Sequence, residues 1–305
     1  MSSTDPTAKA DVPQVTSKDL PTRLDPTKLK MAPYRGMMMA YMFEPLEVHL
    51  PKVKNLQLRD SDVLLCTYPK SGTHWLWRVL DMLVHGSAEY SDRSPDSAML
   101  DLMLTEVIDK AESPRVHMAH LPFDLLPEQL EDGRVKVVHV YRHPKAVLVS
   151  LFFHMQKGGR MPNMTLDELI KNWASGNAPT KSQSYYFNTV QEYEKNNPDV
   201  SIFHLAYEDM KEDPTGSINK LAAHLNVKAS DELCSQIAEA VTFNNQKKEE
   251  EKRDTEQLNA MNFYRKGESE GWKSHLTVAQ SVRMDQMMRE SSATCPFFRR
   301  YCPSN

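Results

Sequence analysis

The chain has 305 residues, of which 40% are hydrophobic and 26% are charged, enough to bury the core of one large or two smaller domains. No apolar run reaches the about 20 residues that a membrane-spanning helix needs, and the polar N-terminus lacks the apolar segment of a secretory signal. The net charge of -4 gives no indication of a nucleic-acid or membrane partner. The four cysteines include no C-x-x-C pair, which disfavours a zinc site and favours a reduced, cytoplasmic protein.

The predicted elements alternate between strands and helices. Residues 1–30 are polar and are predicted to form a mobile tail, and residues 31–305 are predicted to form a single domain. Strands are predicted at 63–67, 115–120, 136–142 and 201–207. Helices are predicted at 73–85, 98–111, 145–156, 165–174, 183–195, 213–225 and 231–241. This order predicts an α/β fold with a mostly parallel central sheet.

Each predicted strand ends in a polar or charged residue. These residues are Thr67, His120, Arg142 and Tyr207. Ligands of parallel α/β sheets bind outside the carboxyl ends of the strands, so we expect the four residues to meet at one edge. Their chemistry favours an anionic ligand.

The first strand and the helix after it are joined by a loop suited to an anion. Backbone N–H groups at a helix N-terminus favour negative charge, Lys70 adds a cation, and Ser71 and Thr73 add hydroxyl donors. The loop is not a Walker A motif, because Lys70 precedes Gly72 and no Gly-Lys-Ser or Gly-Lys-Thr occurs. An ordinary turn after a strand is the alternative interpretation.

Two later segments carry further cations. Arg142 follows the third strand, and Ser150 lies about two turns into the next helix, where both could bind one phosphate. Arg265, Lys266 and Gly267 form a second basic segment. A surface arginine near a helix cap and a basic surface turn are the alternatives.

Two histidines lie on the second predicted strand. His117 and His120 are three residues apart, so their side chains point to opposite faces and do not suit one zinc ion. His120 ends its strand at the predicted site and is the candidate general base, since imidazole accepts a proton near neutral pH. His117 is predicted to lie in the core or behind the site, and no metal site is predicted.

The sequence resembles the cytosolic sulfotransferases from about residue 35 to the C-terminus. The motifs that carry this resemblance are TYPKSGTHW at 67–75, HLP at 120–122, YRHPKAVLVS at 141–150, YEDMKEDP at 207–214 and RKG at 265–267. The resemblance implies a P-loop-NTPase-like three-layer sandwich. It also implies 3′-phosphoadenosine 5′-phosphosulfate (PAPS) as the co-substrate, without a metal.

The resemblance also implies a role for each motif residue. Six residues would bind the 5′-phosphosulfate: Lys70, Ser71, Gly72, Thr73, His74 and Trp75. Five would bind the 3′-phosphate: Arg142, Ser150, Arg265, Lys266 and Gly267. Tyr207, Thr242 and Phe243 would approach the adenosine. His120 would be the catalytic base, and Lys70 would stabilise charge on the leaving phosphate.

The chain departs from the family pattern at several positions. Met118 replaces a lysine two residues before the catalytic histidine, and Glu270 replaces a glycine beside the RKG motif. The family's dimer segment, here residues 273–282, ends in Val282 instead of glutamate, so a homodimer would use an altered motif.

We therefore predict sulfuryl transfer from PAPS to a hydroxyl or amine of a small apolar acceptor. Four methionines are candidates to line an adaptable acceptor pocket: Met37, Met38, Met39 and Met42. One alternative is a module that binds PAPS or its desulfated product PAP with little turnover. Met118 and Glu270 support this alternative. A P-loop kinase is a second alternative, which the missing Walker A order disfavours.

Overall fold

An antiparallel hairpin and a short helix precede the main sheet. The computed structural model describes residues 24–25, 28–157, 163–175, 181–253, 270–293 and 295–302. Strands β1 (Lys30–Tyr34) and β2 (Met37–Tyr41) pair with each other, and helix α1 (Leu46–Lys54) follows. Arg35 and Gly36 both have positive φ, as a two-residue hairpin turn requires. These three elements were not predicted from the sequence, and for the hairpin the reason is that Arg-Gly is a weaker turn signal than Asn-Gly.

Four parallel strands form the central sheet. They are β3 (Val63–Thr67), β4 (Val116–Ala119), β5 (Lys136–Tyr141) and β6 (Ile202–Ala206), in the order β4-β3-β5-β6. The helices are α2 (Thr73–His85), α3 (Thr105–Lys110), α4 (Pro144–Lys157), α5 (Leu166–Ala174), α6 (Gln183–Asn196), α7 (Tyr207–Glu212), α8 (Pro214–Leu225), α9 (Asp231–Ala240), α10 (Phe243–Arg253), α11 (Val278–Ser292) and α12 (Pro296–Arg299). The predicted α/β fold with a parallel sheet is confirmed.

The sheet is covered on both faces. Leu64 and Cys66 of β3 pack into a core with residues of α1, α6 and α12. Val63 and Leu65 of the same strand pack into a second core with residues of α2, α8 and α9. Successive side chains of a strand point to opposite faces, so a strand between two helical layers is apolar at every position. The predicted three-layer sandwich is confirmed.

The predicted helix at 98–111 is wrong. A short 3-10 helix covers Pro95–Ala98, and α3 covers only six residues. Between them, Met99 forms a parallel bridge with Met118, and the Leu100 N–H donates to the Met118 carbonyl at 2.8 Å. Pairing with the free edge of β4 satisfies these backbone groups in an extended conformation, which overrides the helical spacing of the apolar residues.

Most other predicted helices begin and end within two residues of their predicted bounds. The predicted capping box is present, since the Glu168 N–H donates to Thr165 Oγ1 at 3.2 Å and Glu168 Oε2 accepts from the Thr165 N–H at 2.8 Å. Asp213 caps α8 by accepting from the Gly216 N–H at 2.9 Å. In the described part of the chain, no helix is long and apolar enough to cross a membrane.

A buried ion pair holds the sheet together at the N-terminal ends of β3 and β4. Arg115, just before β4, donates to both carboxylate oxygens of Asp62 and to the Ile108 carbonyl, at 3.1 Å for the latter. His117 Nε2 lies 3.3 Å from Asp62 Oδ2, so His117 is a buried structural histidine, as predicted. Burial alone would raise the pKa of Asp62, but hydrogen bonds from His117 and Arg115 hold it well below its ordinary value.

Replacing Arg115 should destabilise the protein strongly. Arg115→Met leaves Asp62 buried without its main cation, and we expect the free energy of unfolding at pH 7 to fall by about 3–5 kcal/mol. Urea unfolding followed by circular dichroism measures this change. The control is Arg134→Met at an exposed ion pair with Asp60, which should leave the free energy of unfolding nearly unchanged. Equal losses in the two variants would contradict the account.

Candidate active site

A cavity of about 460 Å³ lies where the parallel strands end. It is lined by residues that follow all four strands, including Lys70 after β3, His120 after β4, Arg142 after β5 and Tyr207 after β6. Thr67, the last residue of β3, contacts His120 behind the cavity wall. The prediction that these strand ends meet at one edge is confirmed.

The loop between β3 and α2 has the backbone of an anion-binding turn. Lys70 has a φ of 69° and Gly72, the residue before α2, has a φ of 102°. A side chain at position 72 would also place its Cβ 2.7 Å from the Tyr207 ring, so both conformation and space require glycine. The first N–H groups of α2 lack partners within the helix and face the same end as Lys70.

Two polar atoms beside this loop lack protein partners. Trp75 lines the cavity, and its buried Nε1 has no hydrogen-bond partner among the described residues. Ser71 is fully buried and does not line the cavity, and its Oγ has no partner in the described part of the chain either. Buried donors without partners are rare in folded proteins. Their position next to a helix N-terminus suits an anionic ligand.

A cationic and aromatic stack forms one wall. The Arg142 guanidinium lies 4.1 Å from the centre of the Tyr207 ring, and its Nη1 donates to the Lys70 carbonyl at 3.0 Å. The Tyr207 ring meets Trp75 edge-on at 5.2 Å, and Lys211 Nζ lies 5.7 Å from the Trp75 ring. Lys70, Arg142 and Lys211 thus make this end of the cavity positive.

His120 is held in one tautomer. Its Nδ1 lies 2.9 Å from the Thr67 carbonyl, which can only accept, so Nδ1 carries the proton and Nε2 keeps its lone pair. Burial lowers the pKa of His120 to about 4, the Thr67 hydrogen bond opposes that shift and the charge of Lys70 adds to it. The imidazole is therefore neutral at pH 7, as a proton acceptor must be.

His74, in the loop between β3 and α2, is also neutral. Burial lowers its pKa to about 3, and the charges of Lys70, His120 and Arg78 act in the same direction. It lines the cavity beside Trp75. A neutral His74 leaves Lys70 as the charged side chain of this loop.

The hairpin gives the cavity an apolar lining. Leu29, Met31, Met37 and Met39 line the cavity from the hairpin and the residue before it. Met38 points outward and is 40% exposed, so it does not line the cavity, and neither does Met42. Because side chains alternate along β2, only every second methionine reaches the cavity.

The remaining predicted residues divide into two groups. Ser150, Thr242 and Phe243 line the cavity. Arg265, Lys266 and Gly267 lie outside the described residues.

Two residues that differ from the family pattern do not line the cavity. Met118 is fully buried within β4 and does not line the cavity. Glu270 is exposed and forms an ion pair with Lys273 at 2.5 Å.

Sequence reasoning missed the carboxylates of the cavity. Asp96 and Asp101 both line it, and the Asp101 carboxylate accepts the His120 backbone N–H at 3.0 and 2.9 Å. The wrong helix at 98–111 concealed Asp101, because a helix there would not have placed it at the sheet edge. A prediction that the chain around Met99 is extended and pairs with β4 would have placed Asp101 at the sheet edge.

Comparison with known proteins identifies the family. The model of the sulfotransferase domain matches residues 60–296. The amine sulfotransferase of Oryctolagus cuniculus is 31% identical over 261 residues, covering 81% of this chain and 86% of that protein. Sulfotransferase 1A1 of Canis lupus familiaris is 32% identical over 263 residues, covering 80% of this chain and 86% of that protein.

Solved structures agree on the fold. The mouse sulfotransferase SULT7A1 complexed with PAP has a TM-score of 0.70 and 23% identity, covering 88% of this chain and 97% of that one. Retinol dehydratase in complex with androsterone and PAP also has a TM-score of 0.70, with 19% identity, covering 90% of this chain and 92% of that one.

Gly72→Ala should destabilise the protein more than a glycine replacement that costs only backbone strain. Gly86, at the end of α2, has a φ of 65° with no atom within 4 Å of the place that a Cβ would occupy, so Gly86→Ala should cost about 1–2 kcal/mol. Gly72→Ala adds the collision with Tyr207 and should cost at least about 1 kcal/mol more. Chemical unfolding of both variants measures the difference, and equal costs would refute the close contact.

Proposed function

The chain belongs to the sulfotransferase family, and we propose that it transfers a sulfuryl group from PAPS to a hydroxyl or amine of a small apolar acceptor. One observation carries this proposal. A single cavity joins a cationic loop at a helix N-terminus, a neutral histidine with a free Nε2, and an apolar end lined by methionines.

The donor would bind at the cationic end. Lys70, Ser71, Gly72, Thr73, His74 and Trp75 would hold the 5′-phosphosulfate. Support comes from Trp75, which lines the cavity and whose Nε1 has no partner among the described residues, and from the positive φ values of the loop. Arg142 and Ser150 would hold the 3′-phosphate together with Arg265, Lys266 and Gly267. Tyr207, Thr242 and Phe243 would contact the adenosine.

Transfer would proceed as an in-line displacement without a metal. His120 Nε2 takes the proton of the acceptor while the acceptor atom forms its bond to sulfur. The bond from sulfur to the phosphate oxygen breaks, its electron pair stays on that oxygen, and Lys70 stabilises the charge that develops there. A preorganised cation and N–H groups supply this stabilisation without reorganisation of water.

The acceptor would bind against the hairpin. Met31, Met37 and Met39 have flexible thioether side chains that adapt to differently shaped apolar groups. The retinol dehydratase structure holds androsterone, a steroid. A compact apolar acceptor is therefore the class we propose.

We propose a cytoplasmic protein with a polar tail at 1–30 and one domain at 31–305. We also propose a homodimer through the altered segment at 273–282, in which Val278 is 82% exposed and Val282 is 56% exposed. Light scattering of Val278→Asp against the unaltered protein tests that contact.

Transfer of labelled sulfate tests the proposed reaction. The protein would be incubated with labelled PAPS and a panel of phenols, sterols, retinoids, aliphatic alcohols and amines. Sulfonated product supports the proposal. Tight PAP binding without product from any acceptor would favour the binding-module alternative, and magnesium-dependent ATP hydrolysis would favour a kinase.

Replacing His120 and replacing Lys70 should have different effects on donor binding. His120→Ala should abolish turnover but leave the dissociation constant of PAP within about threefold, because the base does not contact the nucleotide. Lys70→Ala should weaken PAP binding at least about tenfold and also slow transfer, because it removes a cation from the phosphate site. Calorimetric titration with PAP measures the affinities.

The control for that pair is Lys273→Ala, an exposed lysine outside the cavity, which should leave both quantities unchanged. If His120→Ala weakened PAP binding as much as Lys70→Ala, the assigned roles would be wrong.

The pH dependence of kcat/KM should show that the general base has a low pKa. With an aliphatic alcohol as acceptor, kcat/KM should stay level between pH 6 and 8 and fall only toward pH 4, since protonation of His120 near its pKa of about 4 removes the base. Initial rates in constant-ionic-strength buffers measure the profile. Half-loss of kcat/KM near pH 6.5 would show instead that His120 has an ordinary pKa.

A further inference from the structure

Asp101 is a cavity residue that the proposed reaction does not use. It lies just beyond the bridge between Met99 and Met118, at the free edge of β4. Both oxygens of its carboxylate accept the His120 backbone N–H, at 3.0 and 2.9 Å. The carboxylate is thereby held beside the residue proposed as the base.

The hydrogen bonding of Asp101 is incomplete for an ionised group. A carboxylate offers about four acceptor positions, and the backbone N–H groups of His120 and of Asp101 itself occupy only part of them. Among the described residues, none forms an ion pair with Asp101. The side chain is only 9% exposed, so water compensates poorly for the missing partners.

The charges of the cavity are separated. Lys70, Arg142 and Lys211 follow β3, β5 and β6 and surround the proposed phosphate site. Asp101 lies at the edge of β4, beside His120, where the acceptor would react. Burial raises the pKa of Asp101 to about 7, against the hydrogen bonds from the backbone N–H groups of His120 and Asp101, so its protonated and ionised forms are both populated near neutral pH.

We propose that Asp101 determines acceptor specificity by binding the ammonium group of an amine acceptor and taking one proton from it before transfer. This inference rests on the proposed function, because it assigns a substrate class to the same cavity. A neutral alcohol would leave the carboxylate without a cationic partner, whereas an ammonium group supplies both charge and hydrogen-bond donors.

The chemistry of an amine acceptor requires two bases. A primary amine enters as R–NH₃⁺, which has no lone pair to attack sulfur. Asp101 takes the first proton and becomes neutral, and R–NH₂ remains. As the nitrogen–sulfur bond forms, the sulfur–oxygen bond to the phosphate breaks with its electron pair on oxygen, and His120 Nε2 takes the second proton. Burial favours the neutral acid and amine over the ion pair, so the first step is assisted.

Two acceptors of the same shape test this assignment. The probes are 2-phenylethylamine and 2-phenylethanol, compared in the unaltered protein and in Asp101→Asn. The asparagine keeps an oxygen for the His120 N–H but carries no charge and accepts no proton. We expect kcat/KM for the amine to fall at least about tenfold and that for the alcohol to change less than about threefold.

Binding provides a second readout without turnover. In the PAP complex, Asp101→Asn should weaken the affinity for 2-phenylethylamine at least about tenfold and leave that for 2-phenylethanol nearly unchanged. His120→Ala serves as the control for chemistry, and it should turn over neither probe. Unchanged PAP affinity and melting temperature of Asp101→Asn would show that the fold is intact.

Each alternative outcome is distinct. Equal losses with both probes would show that Asp101 only positions His120 and would overturn the proposal. Transfer to alcohols or phenols but to no amine would overturn it too, while the proposed sulfotransferase reaction would stand. No transfer to any acceptor would mean that the proposed function itself fails.

Discussion

Parallel pairing of β3 with both β4 and β5 brings the chemistry of this protein together. The pairing aligns Cys66 with Ala119 and Thr67 with Val140, so the residues that follow three strands emerge side by side. The Thr67 carbonyl can then accept a hydrogen bond from His120 Nδ1, and Arg142 can reach the Lys70 carbonyl. A shift of one residue in either pairing would turn these side chains to the opposite faces of the sheet.

Burial then decides the charge of each group at this edge. It keeps His120 neutral and makes the ionised form of Asp101 costly, while Lys70, Arg142 and Lys211 line the cavity beside the proposed phosphate site. The result is a cavity that is positive where phosphate would bind and that holds a neutral histidine and the carboxyl group of Asp101 where the acceptor would react. An anion at one site and an apolar acceptor that carries an amine at the other are the ligands that such a division favours.

Local patterns predicted most of this fold. The apolar run of β3, the cap at Thr165 and the polar residues at the strand ends are signals carried by neighbouring residues, and the structure bears them out. Contacts between residues far apart in the sequence could not be predicted from such local signals. The edge pairing of Met99 replaced a predicted helix, and that error hid Asp101. Likewise, the hairpin turn at Arg35 decides which methionines face the cavity.

A crystal structure of the protein with PAP and a slowly reacting acceptor would show whether donor and acceptor meet at the ends of the parallel strands. We expect the 5′-phosphate of PAP to lie against Lys70 and the N–H groups at the start of α2. We also expect the acceptor oxygen or nitrogen to lie within hydrogen-bond distance of His120 Nε2. PAP bound elsewhere, or an acceptor whose reacting atom lies beyond the reach of His120, would refute the proposed roles of Lys70 and His120.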